Sequence, residues 1–571
     1  MNERLEKTMY SNKDNVNILT ALLVRHGVNR VVVCPGSRNA PIVHNFSECP
    51  ELECFPVTDE RSAGFYALGM ALASDKAVAV CVTSGTALLN LAPAVAEAFY
   101  RHIPLVVISA DRPQAWIGQL DGQTLPQPGA FGCFVARSVT LPEPAGVMTA
   151  ESHGLDDTRR YCCRLVSEAL IASQRSGGCP VHINVPLSEP LFDFSVGSLP
   201  DVRAVRLLGP SGCTDALVGQ VAERLLAAAR PMVVVGQHAD STELASALSA
   251  LAGHAVVLRE PLCPGRGISH FDEVLHVVGQ NSDYEPDFIL YAGDTVVSKR
   301  LRKFLRGAAG METWAVSVDG EIHDTFNNQT AVINLPAVAV MSGVAAYIAG
   351  RKSNCDRAFT ARWAAALSSA ANHAASYMPR YSQMMAVKRF EEMLDELDYG
   401  WSVHYANSSA VRLGNIYADH YIYVNRGVNG IEGSLSTAAG FSVACPDMTF
   451  CVIGDLSFFY DSNALWNQNL RGNLRILLLN NCCGGIFHQL PGLEASPVRD
   501  SCIAAGHHAS AHGICDAHDI GYLAAHDADE LARNMETFLY SGTRRPLVFE
   551  VFTDAEEDAG AIKEYLAALS L

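Results

Sequence analysis

Short, continuous apolar runs recur along this chain, and each stops abruptly at small or polar residues. Arg30-Val31-Val32-Val33-Cys34 stops at Pro35-Gly36-Ser37-Arg38, Ala77–Val82 at Thr83-Ser84-Gly85-Thr86, and Leu105–Ser109 at Ala110-Asp111-Arg112-Pro113. Such runs, rich in β-branched side chains, read as strands buried on both faces. A further strand spans 51–57. Longer helix-like stretches lie between them, one starting near Asp59 and one running through Ala98. Strands alternating with helices of this length demand parallel βαβ units, hence an α/β fold.

The pattern continues beyond a Pro-rich linker at 186–210. A second α/β region at 211–350 carries strands at 231–235, 287–291 and 313–318. An Ala-rich helical stretch at 355–377 leads into a third region, 380–571. The length of 571 residues suits several cores, and 49% hydrophobic against 18% charged residues argues against disorder. A net charge of −18 argues against a nucleic-acid partner, because phosphate backbones are held by surplus Lys and Arg. The 17 cysteines include no CxxC pair, which points to reduced thiols in a cytoplasmic protein. The polar N-terminal segment carries no signal peptide, and no apolar stretch is long enough to span a membrane.

In an open parallel sheet, ligands bind beyond the carboxyl ends of the strands. Gly454-Asp455 follows the strand-like run ending at Ile453, and Asn480-Asn481 follows the run ending at Leu479. A crossover helix at about 461–471 between neighbouring strands would put both pairs on one edge. A carboxylate with amide and carbonyl oxygens is a hard-oxygen set that suits Mg²⁺ bridging to phosphate. Gly-Asp and Asn-Asn are also ordinary turn-formers, and spacing alone leaves both readings open.

Longer motifs add to this. CPGSRNAPI (34–42), TDERSAGFYALG (58–69), TSGTALLNLAPAVAEAFY (83–100), SADRP (109–113), NSSAVR (407–412), NRGVNGIEGSLSTAAG (425–440) and GDLSFFYDSNAL (454–465) stand in one order. Together they resemble the MenD family of thiamine diphosphate (ThDP) enzymes, the 2-succinyl-5-enolpyruvyl-6-hydroxy-3-cyclohexene-1-carboxylate (SEPHCHC) synthases. The match is weakest over about 200–370. The resemblance implies three doubly wound parallel-sheet domains: pyrimidine-binding (1–190), central (205–350) and diphosphate- and metal-binding (375–571). It also implies a homo-oligomer with the active site between subunits. The implied reaction decarboxylates 2-oxoglutarate and adds the succinyl-semialdehyde carbanion to isochorismate, in menaquinone biosynthesis. ThDP and Mg²⁺ (or Mn²⁺) are the implied cofactors.

Residue by residue, the resemblance makes Glu60 the carboxyl that shares a proton with the cofactor's aminopyrimidine. A buried site would help it keep that proton, although a helix-start acid needs no such role. Ile431 would wedge under the cofactor, and Ser408 would contact the diphosphate. A core isoleucine and a helix N-cap serine are the plain alternatives. Asp455, Asn481 and the backbone carbonyl of Cys483 would hold the metal. Arg38, Arg112, Arg412, Arg426 and Lys299 would bind the dianionic substrates, since arginine holds a carboxylate through two parallel hydrogen bonds. Gln123 would orient an intermediate, Ser37 would touch substrate, and Ile486 and Phe487 would wall the pocket.

Two stretches depart from the family pattern. Cys482-Cys483 stand where a third Asn and a Gly are usual, and Gly122 stands where Asn is usual. Neither thiol reads as a ligand, because Mg²⁺ prefers oxygen. An acetolactate-synthase or 2-oxo-acid decarboxylase type is the alternative within ThDP chemistry, and a non-catalytic ThDP-binding regulator is the alternative outside it.

Overall fold

The computed structural model describes residues 9–144, 157–202, 204–205, 215–267, 269–308, 310–490 and 492–571. Residues 203 and 206–210 of the expected linker lie outside the described residues.

The apolar runs form three sheets whose strands pair in parallel. The first holds β1 (Arg30–Val33), β2 (Glu53–Pro56), β3 (Val78–Val82), β4 (Leu105–Asp111), β5 (Arg137–Thr140) and β6 (Val181–Pro186). The second holds β7 (Pro231–Val235), β8 (Val256–Arg259), β9 (Phe288–Ala292), β10 (Glu312–Val316) and β11 (Gln329–Ile333). The third holds β12 (Trp401–Tyr405), β13 (Ile422–Tyr423), β14 (Met448–Gly454), β15 (Leu474–Asn480), β16 (Gly521–Ala525) and β17 (Leu547–Phe552). Every residue of β3, β4, β7, β9 and β15 is buried, which is why these strands read as unbroken apolar runs rather than alternating ones.

The strand orders are β2-β1-β3-β4-β6-β5, β11-β10-β9-β7-β8 and β13-β12-β14-β15-β17-β16. The first and third sheets thus share one topology, although no sequence repeat links them. In each, the chain reverses direction across the sheet beside its first strand, between β1 and β3 or between β12 and β14. Loops at such a switch point splay apart and leave a crevice. Ser408 lies just beyond β12, and Asp455 follows directly on β14.

By internal contact the chain divides into two units. One comprises Met1–Gly209, Glu432–Pro446 and Asp461–Leu474. It contains the first sheet and the helix Glu60–Ser74, which starts behind the N-cap Asp59, whose side chain accepts from Ser62 N–H. This helix is buried over most of its surface and packs on the helix Ser434–Ala444. Small residues make that possible: a Cβ on Gly69 would stand 2.0 Å from the Thr437 carbonyl oxygen, and one on Gly440 would stand 2.2 Å from that of Tyr66.

The other unit comprises Pro210–Ile431, Asp447–Tyr460 and Arg475–Leu571. It carries the second and third sheets. Gln237 Nε2 donates to the Val424 carbonyl at 2.7 Å, Ile422 N–H to the Pro261 carbonyl at 3.0 Å, and Thr295 Oγ1 to the Arg426 carbonyl at 3.0 Å.

The expected crossover helix at 461–471 is corrected. The regular helix is Asp455–Tyr460, followed by a 3₁₀ turn at Ser462–Leu465 and then turns. Polar side chains explain the difference. Asp461 accepts from the backbone N–H and hydroxyl of Ser436, and Asn467 donates to the Ala464 carbonyl. Such bonds compete with the helical ladder. No helix among the described residues is long and apolar enough to cross a membrane.

Candidate active site

Asp455 opens its helix at the carboxyl end of β14, and Asn481 follows the neighbouring β15. Asp455 Oδ2 accepts from the backbone N–H groups of Asn481 and Cys483, each at 3.1 Å. Burial pushes the carboxyl up to about 7 against the pull of the N–H groups of Leu456, Cys483 and Asn481. His507 Nε2 stands 3.4 Å away. Asn481 Nδ2 donates to Asp558 Oδ2 at 2.9 Å. A carboxylate can only accept, so the amide nitrogen faces Asp558 and the oxygen is turned the other way. The Cys483 carbonyl accepts from Gly485 N–H at 2.9 Å, which leaves it a second lone pair.

These oxygens fit a divalent ion. Among the described residues no cluster of three His, Cys, Asp or Glu forms a complete protein cage. A single buried carboxylate with an amide and a carbonyl is instead the partial set expected where Mg²⁺ keeps positions for phosphate and water. Both sulfurs next to it belong to thiols raised by burial, that of Cys483 to about 12, so they stay protonated. Cys482 carries φ 63°, in the left-handed region that the usual Asn tolerates better than cysteine.

Ser408 occupies the N-cap position of the helix Ser409–Tyr417, but its side chain caps nothing, and its φ of 74° lies in the left-handed region. Strain of this kind gathers at ligand sites. Ile431 is 41% exposed, which rules out the core reading.

A cavity of about 340 Å³ opens in the same unit. Lys299, Arg300 and Arg412 line it together with Ile486, Gln489 and Leu490. The helix Lys299–Gly307 is capped by Ser298, whose Oγ accepts from Leu301 N–H. Asp272 takes the Ser298 hydroxyl and the Arg300 guanidinium. Arg412 donates to the Ser408 carbonyl at 3.0 Å, and burial lowers its pKa. Glu260, at the end of β8, is fully enclosed and pushed up to about 7 by burial, with the N–H groups of Val297 and Ser298 opposing, Asp272 adding to the rise and Arg426 countering it. Arg426 is buried and donates to Asn407 Oδ1 at 3.1 Å. Phe487, expected beside Ile486 in the wall, packs instead on Cys483, Ala504 and Ala555. Sequence reasoning missed Arg300, Glu260, Gln489 and Leu490. Arg300 adjoins Lys299 and was open to inference, while the other three carry no motif.

The remaining candidates belong to the first unit. Glu60 is half-buried rather than buried, and its Oε2 accepts from Asn90 Nδ2 at 3.3 Å. Arg38 is buried, with its guanidinium on the Leu187 carbonyl and Glu189, both at 3.0 Å. Arg112 grips the Gly122 carbonyl through Nε and Nη2 at 3.1 and 2.9 Å. Gln123, next in the loop, has φ 55° and is exposed, as is Ser37.

Comparison with known proteins decides what the arrangement belongs to. The family description "Thiamine pyrophosphate enzyme, N-terminal TPP binding domain" matches residues 14–129, and its C-terminal counterpart matches residues 407–551. A 2-succinyl-5-enolpyruvyl-6-hydroxy-3-cyclohexene-1-carboxylate synthase of Bacteroides thetaiotaomicron is 43% identical over 98% of this chain and 99% of that protein. The chain belongs to the SEPHCHC synthase family. Synthases of the same name from Phocaeicola vulgatus and Porphyromonas gingivalis are 41% and 36% identical, each over 98% of this chain. The two matched ThDP segments contain the loops after β1, β3, β12, β14 and β15, so the SEPHCHC synthase resemblance and the strand-end geometry fall on the same residues.

Proposed function

We propose that this chain is a ThDP- and Mg²⁺-dependent transferase that decarboxylates 2-oxoglutarate and joins the remaining four-carbon unit to isochorismate, giving SEPHCHC and CO₂ in menaquinone biosynthesis. The observation that carries this reading is the cavity lined by Lys299, Arg300 and Arg412 together with Ile486 and Leu490. A protein of net charge −18 repels dianions unless it places cations locally, and Arg259, Lys299, Arg300 and Arg412 line this cavity against the carboxylates of Glu260, Asp272 and Glu273.

Bound ThDP supplies an electron sink for the pair released as CO₂ leaves. The protein's residues do the rest. Asp455, Asn481 and the Cys483 carbonyl would hold Mg²⁺ or Mn²⁺, and Ser408 would meet the diphosphate. Ile431 would pack against the cofactor, and Glu60 would hold a proton for its pyrimidine ring. Arg412, Arg426, Lys299, Arg38, Arg112 and Ser37 would bind substrate carboxylates, Gln123 would orient the bound substrate, and Ile486 would exclude water, whereas Phe487 packs away from the cavity. The reading takes 1–190 as the pyrimidine-binding domain, 205–350 as the central domain and 375–571 as the diphosphate- and metal-binding domain. It further takes the enzyme as a cytoplasmic homo-oligomer whose site is completed between subunits. The test is CO₂ release from 2-oxoglutarate or pyruvate, with ThDP and Mg²⁺, with and without isochorismate. Release from 2-oxoglutarate that needs isochorismate supports the reading, and turnover of pyruvate alone contradicts it.

A further inference from the structure

Two of the cations in the cavity come from different sheets. Lys299 and Arg300 open a helix that follows β9, whereas Arg412 lies on the helix Ser409–Tyr417 that follows β12. A dianion gripped by both sets needs their spacing fixed, because a cation on a loose mount binds a carboxylate weakly.

Glu260 is built to fix it. It directly follows β8 and is 3% exposed. Its Oε2 accepts from Val297 N–H at 2.7 Å and its Oε1 from Ser298 N–H at 2.8 Å, the two residues that lead into Lys299. Oε1 also accepts from Asn415 Nδ2 at 3.2 Å. Asn415 stands three residues after Arg412, on the same face of its helix, and both line the cavity. A single carboxylate therefore ties the backbone carrying Lys299 and Arg300 to the helix carrying Arg412. Asp272, by contrast, holds Ser298 and Arg300 alone and reaches no residue of the Arg412 helix among the described hydrogen bonds. Donors meet both oxygens of Glu260, so the group is arranged to accept and hold rather than to deliver a proton.

Resting on the functional reading above, we propose that Glu260 is a positioning residue that sets the separation between Lys299–Arg300 and Arg412, and so the affinity for the dianionic acceptor substrate. Its described hydrogen bonds go to Val297, Ser298 and Asn415 and to none of Asp455, Asn481 or Cys483, so its effect is expected in acceptor binding.

The test titrates isochorismate, without 2-oxoglutarate, into protein loaded with ThDP and Mg²⁺, and follows heat. Glu260→Gln keeps the size of the side chain but turns an amide N–H₂ toward donors. The expected result is a Kd for isochorismate raised roughly tenfold, with ThDP affinity within about twofold of the unmodified protein. Asn415→Ala removes only the tie to the Arg412 helix and serves if Glu260→Gln does not fold. Its expected loss is roughly threefold, and the double variant binds no more weakly than Glu260→Gln alone. Unchanged isochorismate affinity in the variants overturns the positioning role. So does an equal fall in ThDP affinity, which marks general loosening. If the unmodified protein does not bind isochorismate, the functional reading falls first and takes this role with it.

Discussion

Asn481 and Asp455 stand at the ends of adjacent parallel strands, 26 residues apart in sequence, and the backbone N–H of Asn481 donates to Asp455 Oδ2 at 3.1 Å. The carboxylate is thereby aimed before any ion arrives. Asp455→Asn keeps the shape and removes the charge. The variant is expected to melt within a few degrees of the unmodified apoprotein but to lose the rise in melting temperature that Mg²⁺ with ThDP gives. A ligand at 100 times its Kd stabilises by about 2.7 kcal/mol, so the difference is measurable by thermal shift.

The helix pair Glu60–Ser74 and Ser434–Ala444 depends on the absence of two side chains. A Cβ at Gly69 or Gly440 would collide with a backbone carbonyl rather than a movable side chain. Gly69→Ala and Gly440→Ala are each expected to destabilise by at least about 2 kcal/mol. Their melting temperatures should drop by several degrees, and Glu60, at the start of the same helix, should lose activity with them.

Arg412 has one hydrogen bond to protein among the described residues, to the Ser408 carbonyl, which leaves most of its donors for a ligand in the cavity. Lysine offers no planar fork. Arg412→Lys is expected to lower kcat/KM for the acceptor by roughly 10–100-fold, with the cofactor's affinity unchanged. Steady-state kinetics at varied isochorismate will check it.

Two buried histidines set an acid limit. Burial lowers His182, between Ser109 and Ser138, from 6.5 to about 4, and lowers His404 from 6.5 to about 3. Both fold neutral, so the unfolded chain binds more protons below about pH 6.5. Stability from these groups is therefore present above that pH and declines as pH falls toward 4, by about 3 kcal/mol for His182 alone. Melting temperatures at pH 7 and pH 5 should differ less in His182→Asn than in the unmodified protein.

The strands were legible because burial on both faces leaves unbroken apolar runs, and the polar pairs after them marked the sheet edge that matters. Asp455 and Asn481 could be found that way. The segment after Asp455 does not form the expected helix because Asn467 takes the Ala464 carbonyl that a helix there would need and Asp461 is held by Ser436. Glu260 and Asn415 were invisible: each is an isolated polar residue whose meaning comes from which strand end and helix face it meets. Phe487 could not be separated from Ile486 by hydrophobicity, and only packing on Cys483 and Ala504 tells them apart.

Joining two carboxylate substrates on ThDP is the activity that the fold, the site and the family together assign to this chain. Its most direct test is the mass of the product formed from purified protein, ThDP, Mg²⁺, 2-oxoglutarate and isochorismate. One new species is expected, with the mass of both substrates less CO₂, absent when Mg²⁺ is chelated or when Glu60 is replaced by Gln. Unchanged substrates, or the same species formed at full rate by Glu60→Gln, would contradict it.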